Sequence, residues 1–345
     1  MKYQNIKALK GIAIGTIALL AASTAFAADY TMKFSISDTE IMEEHFTHTP
    51  LRAFKKEIEE KSDGRIAVDI FWSGQLGKTD SVVNMVATGL VEAIMGADGF
   101  ASPYDQNVQV LGIPYLFDNR AAAYEVLDGP CGQMLSDGLV EKSNMRAMVW
   151  HENGGYRNYS ANKPLTSVED IQGLKIRTMN NPVHMEIVKS LGASPTPIPW
   201  QDLYTALQTG VVDGQENSLA IFRIPKLEEV QKNIIMDGHV YSPGSLYFSQ
   251  KWLDTLPEDL LAIVKTASEN FRDLNREIST KAEVEDRAYL ESKGVSIYDP
   301  TPEQKQQFRD LTQGPALEYI KDNVDPEVLS CFLTAAKEAN AKHGG

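Results

Sequence analysis

Hydrophobic and polar positions alternate along YTMKFSIS (30–37), the pattern of a β-strand with one buried face. From Pro50 to Lys61 the spacing becomes helical, with Leu51, Phe54 and Ile58 on one side and Gly64 as the stop. RIAVDIFW (65–72) predicts a second strand, SGQLG (73–77) a loop, Thr79–Thr88 a helix ended by Gly89, and VEAIMG (91–96) a buried strand. A second run has the same make-up. A short helix begins over Ser167–Asp170 and stops by Gly173, and LKIRTM (174–179) reads as a strand. Asn181 caps the next helix with Pro182 in its first turn, and Gly192 ends it. SPTPIP (194–199) is extended and Gln201–Thr209 helical. PGSLYFSQKW (243–252) is strand-like, and the helices expected over Pro257–Leu274 and Asn275–Ser292 are long enough to brace two lobes.

Short strands alternating with helices predict an α/β fold with mostly parallel sheets. The hexapeptide Thr88–Ala93 (TGLVEA) echoes Thr209–Gly214 (TGVVDG), each after an apolar helix, which points to two domains of related design rather than one large sheet. No low-complexity linker separates them, so ordered crossings are expected between the lobes.

The first 27 residues stand apart from this pattern. Lys2, Lys7 and Lys10 precede the apolar run GIAIGTIALLAA, and Ala25-Phe26-Ala27 offers a small-x-small cleavage site, the signature of a secretory signal peptide cut before Ala28. The run is too short for a membrane span. Losing three lysines and no acids leaves 30 basic against 47 acidic residues, a mature net charge of −17. Such a chain has no basic stripe for nucleic acid or an anionic membrane, and an anion site in it must rely on local positive groups. Export permits a disulfide between Cys131 and Cys331; the alternative is two buried thiols.

No GxSxG, HExxH, P-loop, GxGxxG or CxxC motif is present, so nothing in the chain announces an activated catalytic group. His45 and His48 stand three apart, a spacing that suits either metal ligands or a surface helix start. His151 and Glu152 are adjacent, and on a strand they point to opposite faces, against a catalytic pair. Arg177 lies in LKIRTM, where Lys175 shares its face. A guanidinium on a buried strand needs a partner, either an internal carboxylate or a ligand carboxylate matched by its two-pronged fork. Arg157, behind Gly154-Gly155, is either a second cation of the same pocket on a neighbouring strand or a surface arginine at a turn. Trp200 opens a helix with Tyr204 one turn later, suited to stacking on a ligand or to the core, and Asn217 in the turn DGQEN offers both donor and acceptor.

These segments in order, FKKEIEEKSDGRIAVDIFWSGQLG, IPYLF, GYRNYSANKP, GLKIR, GASPTPIPW and LYTALQTGVVDGQEN, with LYFSQKWLDTLP more loosely, make nearly the whole mature chain resemble the DctP-like solute-binding proteins of TRAP transporters. The resemblance implies a two-lobed, periplasmic-binding-protein-like α/β fold, with mixed sheets flanked by helices, a ligand cleft between lobes and a long helix bracing both. Lobe I would comprise 28–153 plus about 243–282, and lobe II 154–242 plus about 283–345. It implies capture of a small organic acid by cleft closure and delivery to a membrane permease, with no cofactor and no metal. The protein would be periplasmic, not membrane-embedded, more readily a monomer than a dimer, and not an enzyme. A ligand-sensing module, or an enzyme on the same scaffold, is the alternative. Arg177 corresponds to the arginine that pairs with the ligand carboxylate, Arg157 to the one before the "SNKP"-like segment, Asn217 to the asparagine of GQEN, and Trp200 to the aromatic after PTPxP. In the first lobe, Trp72, Ser73, Gln75 and Asp98 are the expected contacts by position. Trp72 and Ser218 stand where proline is usual in the family, and a tryptophan at 72 either shapes the cleft toward a flatter or aromatic acid or packs between helices.

Overall fold

The computed structural model describes residues 28–344, so the proposed signal peptide and its cleavage site lie outside the described residues. The chain runs β1 (Tyr30–Ser35), α1 (His48–Lys61), β2 (Ile66–Phe71), α2 (Thr79–Thr88), β3 (Ala93–Ala97), α3 (Arg120–Asp128), α4 (Pro130–Ser143) and β4 (Met145–Ala161). It continues β5 (Lys175–Thr178), α5 (Pro182–Ser190), β6 (Ser194–Pro197), α6 (Leu203–Gln208), β7 (Gly214–Asn217), α7 (Leu219–Arg223) and β8 (Asn233–Ser249). It closes with α8 (Gln250–Leu253), α9 (Glu258–Ser292), β9 (Ser296–Tyr298), α10 (Pro302–Asn323) and α11 (Pro326–His343).

The strands form one sheet in the order β2-β1-β3-β8-β4-β7-β5-β6, with β9 beside β8. This corrects the expectation of separate sheets: two 17-residue strands, β4 and β8, pair with each other and carry the hydrogen-bonded ladder from one end to the other. The internal echo nevertheless has a structural counterpart. At each end a central strand is flanked by its two parallel successors, β2-β1-β3 at one end and β6-β5-β7 at the other. The third strand of each triad then pairs antiparallel with a long strand, β3 with β8 and β7 with β4. The echoed hexapeptides are the turns entering β3 and β7; Gly89 (φ 84°) and Gly210 (φ 72°) take the left-handed backbone that lets each helix stop there.

Apolar faces bury against this frame as their spacing predicts. Leu51, Phe54 and Ile58 of α1 pack on Met32 and Phe34 of β1, and Ile176 of β5 with Val188 of α5 centres a cluster at the opposite end. Asn181 caps α5 through a bond from Val183 N (3.2 Å) to its Oδ1. The two helices expected over 257–292 are instead one, α9. Asn275 does not break it, because its side chain is committed elsewhere. Its Nδ2 donates to the carbonyls of Phe46 (2.7 Å) and Glu152 (3.1 Å), and its Oδ1 accepts from Glu152 N (2.8 Å), tying mid-helix to β4.

Cys131 in α4 and Cys331 in α11 form a disulfide across 200 residues of sequence. A crosslink over so long a loop restricts the unfolded chain strongly, so replacing both cysteines with serine should lower stability by about 2–4 kcal/mol. Denaturant melts of the wild type with and without reductant should show a difference of the same sign.

Candidate functional site

A cavity of about 60 Å³ opens at the C-terminal ends of β1, β3, β5 and β7, against the middle of β4. Strand ends at a reversal of strand order are where open α/β sheets present ligand sites, because loops and free backbone groups converge there. A neighbouring cavity of about 270 Å³ shares Phe100, Arg177, Met179 and Trp200 with the first.

Arg177 of β5 is buried, while Lys175 two residues earlier is exposed, so the basic face expected for this strand is a single interior cation. Its Nε donates to the Ile198 carbonyl (2.9 Å), and it has no carboxylate partner among the described residues. Its guanidinium carbon lies 5.9 Å from the centre of the Trp200 ring. Burial pulls its pKa down to about 10, against the pull of Glu216, so it stays cationic at neutral pH. A buried, charged fork with its terminal nitrogens uncommitted is a receptor for an anion.

Arg157 behaves differently. It is neither a turn residue nor on a strand beside that of Arg177, because β7 lies between β4 and β5. It is 1% exposed and paired through Nε and Nη2 with the Glu216 carboxylate on β7, while Nη1 donates to Ser242 Oγ (3.1 Å). The internal bridge weighed for Arg177 is therefore formed by Arg157, which reaches the cavity as one half of a neutral pair. Glu216 also faces His184 (Nδ1, 3.5 Å) and His239 (Nε2, 3.4 Å). Burial would raise its pKa, but Arg157 and His184 hold it well below the usual carboxylate range.

His239, between Glu216 and Asp237 (2.8 Å), is driven down by burial, but the two carboxylates overcome this and bring it to about 9. Its folded pKa thus lies above the unfolded value near 6.5. The stability it contributes is complete below pH 6.5 and is lost as pH rises through 9. His239→Gln should flatten the fall in denaturation midpoint over that window; an unchanged slope would show that the ring does not carry this charge.

Asn217 lies in β7, buried, rather than in a solvated turn; it lines the cavity, and its Nδ2 donates to Gln215 Oε1 (2.6 Å). Trp200 also lines the cavity, and its Nε1 donates to Asp38 Oδ1 (3.0 Å). Around this contact the two ends of the sheet meet again, through Gln201 Nε2 to Thr79 Oγ1 (3.0 Å) and Lys78 Nζ to Asp202 Oδ2 (2.7 Å).

The remaining expected contacts do not line the cavity. Tyr204 packs on the same apolar cluster as Trp200 and donates from its hydroxyl to Glu229 (2.7 Å). Trp72 follows the edge strand β2 and packs edge-on against His48 (5.0 Å), which removes the basis for its shaping the cleft. Ser73 and Gln75 are exposed, but their loop fixes the segment after β1: Ser73 N donates to Asp38 O (2.8 Å) and Gly74 N to Ile36 O (3.1 Å). Asp98 is buried, with Oδ2 unpartnered; burial raises its pKa against the pull of His184 and Arg157. Ser218 caps α7, its Oγ accepting from Ile221 N (3.4 Å).

Sequence reasoning missed Asp38, which lines the cavity from the segment after β1, and Asn153 of β4. The signal for Asp38 was its place just beyond the first parallel strand, the end at which such sheets bind ligands. His151 lines the cavity while Glu152 points into a cluster with Arg120 and Ser279. His48 is buried rather than at the surface, its ring stacked on His45 (4.4 Å); burial lowers the two to about 4 and about 3. Among the described residues no group of three or more ligating side chains is placed to hold a metal, and no helix is long and apolar enough to cross a membrane.

The model of the DctP family, described as bacterial extracellular solute-binding protein, family 7, matches residues 7–322. A solute-binding protein of Verminephrobacter eiseniae is 32% identical over 294 residues, 85% of this chain and 86% of that protein. The chain is also similar to the sugar acid binding protein DctPAm of Advenella mimigardefordensis, solved in complex with galactonate: TM-score 0.84, 29% identity, covering 90% of this chain and 98% of that one. A TRAP periplasmic solute-binding protein of Sulfurospirillum deleyianum, solved with bound succinate, gives TM-score 0.81 and 26% identity over 88% and 98% of the two chains.

Proposed function

This chain belongs to the DctP family, bacterial extracellular solute-binding protein family 7, and from that premise we propose that it captures a small organic acid and delivers it to a TRAP permease. The observation that carries the reading is the buried, cationic and unpaired guanidinium of Arg177 in the cavity wall. A ligand carboxylate would complete its hydrogen bonding and neutralise its charge. The galactonate, galacturonate and succinate held by related proteins support the same class of ligand here.

Capture works by closure. Lobe I, 28–153 plus about 243–282, and lobe II, 154–242 plus about 283–345, turn about β4 and β8, except that α11, bonded to α4 by Cys131–Cys331 and packed on α3, moves with lobe I. The register slip between Glu152 and Gly155, opposite Pro243 and Ser242, supports a hinge there, as do Gly154 (φ 80°) and Gly155 (φ 93°). A ligand touching both lobes favours the closed form by its differential affinity. The contacts of Asp38 with Trp200, Thr79 with Gln201 and Lys78 with Asp202 are what closure makes at the cleft mouth.

The protein works in the periplasm as a monomer, with its signal peptide cut after Ala27, and it binds without turnover. The Cys131–Cys331 bridge accords with an oxidising compartment. Thermal-shift screening of the mature protein against organic acids and neutral polyols tests the reading. The melting temperature should rise with one or more acids, recovered unchanged, and not with polyols; a rise with polyols alone would refute it.

A further inference from the structure

The cavity that holds Arg177 also holds a carboxylate. Half-buried Asp38 lines it and forms no ion pair among the described residues; its side-chain partner is Trp200 Nε1–H on Oδ1. Backbone bonds from the loop of Ser73 and Gly74 hold this segment in place. Burial raises the Asp38 carboxyl to about 6, so at neutral pH it is ionised. A cation in an anion site is expected; a carboxylate in the same cavity is not, unless the ligand brings donors to it.

Resting on the organic-acid reading, we propose that Asp38 selects acids whose far end carries hydroxyl groups and rejects those with a second carboxylate there. Hydroxyls donate to Asp38. A second carboxylate would meet like charge there, with both groups desolvated. Asp38 is thus a specificity-determining residue that reads the end of the ligand remote from Arg177.

Gluconate and glucarate isolate the effect, since they differ only in a terminal hydroxymethyl against a carboxylate. Calorimetric titration of the mature protein should show gluconate bound at least roughly tenfold more tightly than glucarate. Asp38→Asn, which keeps shape and removes charge, should bring the two within roughly threefold, mainly by strengthening glucarate. Melting curves of the variant establish that it is folded. Equal wild-type affinities, a ratio unchanged in Asp38→Asn, or tighter binding of 6-aminohexanoate than of gluconate would each overturn the inference while leaving the acid site standing. Failure of every acid to bind the folded wild type would overturn both.

Discussion

Replacing Arg177 with methionine should weaken acid binding by roughly 30-fold or more and leave the protein at least as stable as the wild type. The two halves have one cause. In the structure this guanidinium is buried, bonded to a single carbonyl and unpaired with any carboxylate among the described residues. Its desolvation is therefore not compensated within the fold, and an apolar side chain of similar length removes that penalty. Binding loses the fork that meets the carboxylate, a loss of about 2–5 kcal/mol for truncating one partner of a buried charge pair. Lysine should not rescue affinity, because an ammonium cannot supply two parallel bonds. Calorimetry and denaturant melts on the same preparations separate the cases: a merely structural arginine would lower stability and spare affinity.

Glu216→Ala should have the opposite profile, a large loss of stability. The carboxylate accepts two bonds from Arg157 and lies beside His184 and His239, all within the interior. Its removal leaves Arg157 charged and unpartnered, a change that costs about 3–5 kcal/mol where a buried pair is broken on one side. The double variant Glu216→Gln with Arg157→Met should recover most of the loss, since replacing both members of such a pair is often close to neutral. Urea midpoints of the two variants measure this, and a double variant no better than Glu216→Ala would count against the pairing.

The contrast between these arginines marks where the sequence ceased to be legible. Periodicity, caps and glycine stops laid out β1 to β3 and β5 to β6 with their helices, because those signals are local. Which arginine is free depends on Glu216, 59 residues from Arg157, and on β7 threading between β4 and β5. No local pattern encodes that pairing. The family's motifs singled out Arg177, Arg157, Trp200 and Asn217, and the fold brings all four to one cavity. The contacts expected from the other end of the sheet rest mainly on the SGQLG loop, whose backbone fixes Asp38 while Ser73 and Gln75 face solvent. Asn275 illustrates the converse error: a residue that reads as a helix break lies mid-helix, because tertiary partners on β4 and before α1 occupy its amide.

A crystal structure of the mature protein with the acid that gives the largest thermal shift tests the central claim most directly. The ligand carboxylate should lie against the terminal nitrogens of Arg177, with Trp200 beside it and Asp38 at the far end. A carboxylate bound elsewhere, with Arg177 contacting a neutral part of the ligand or none of it, would contradict it.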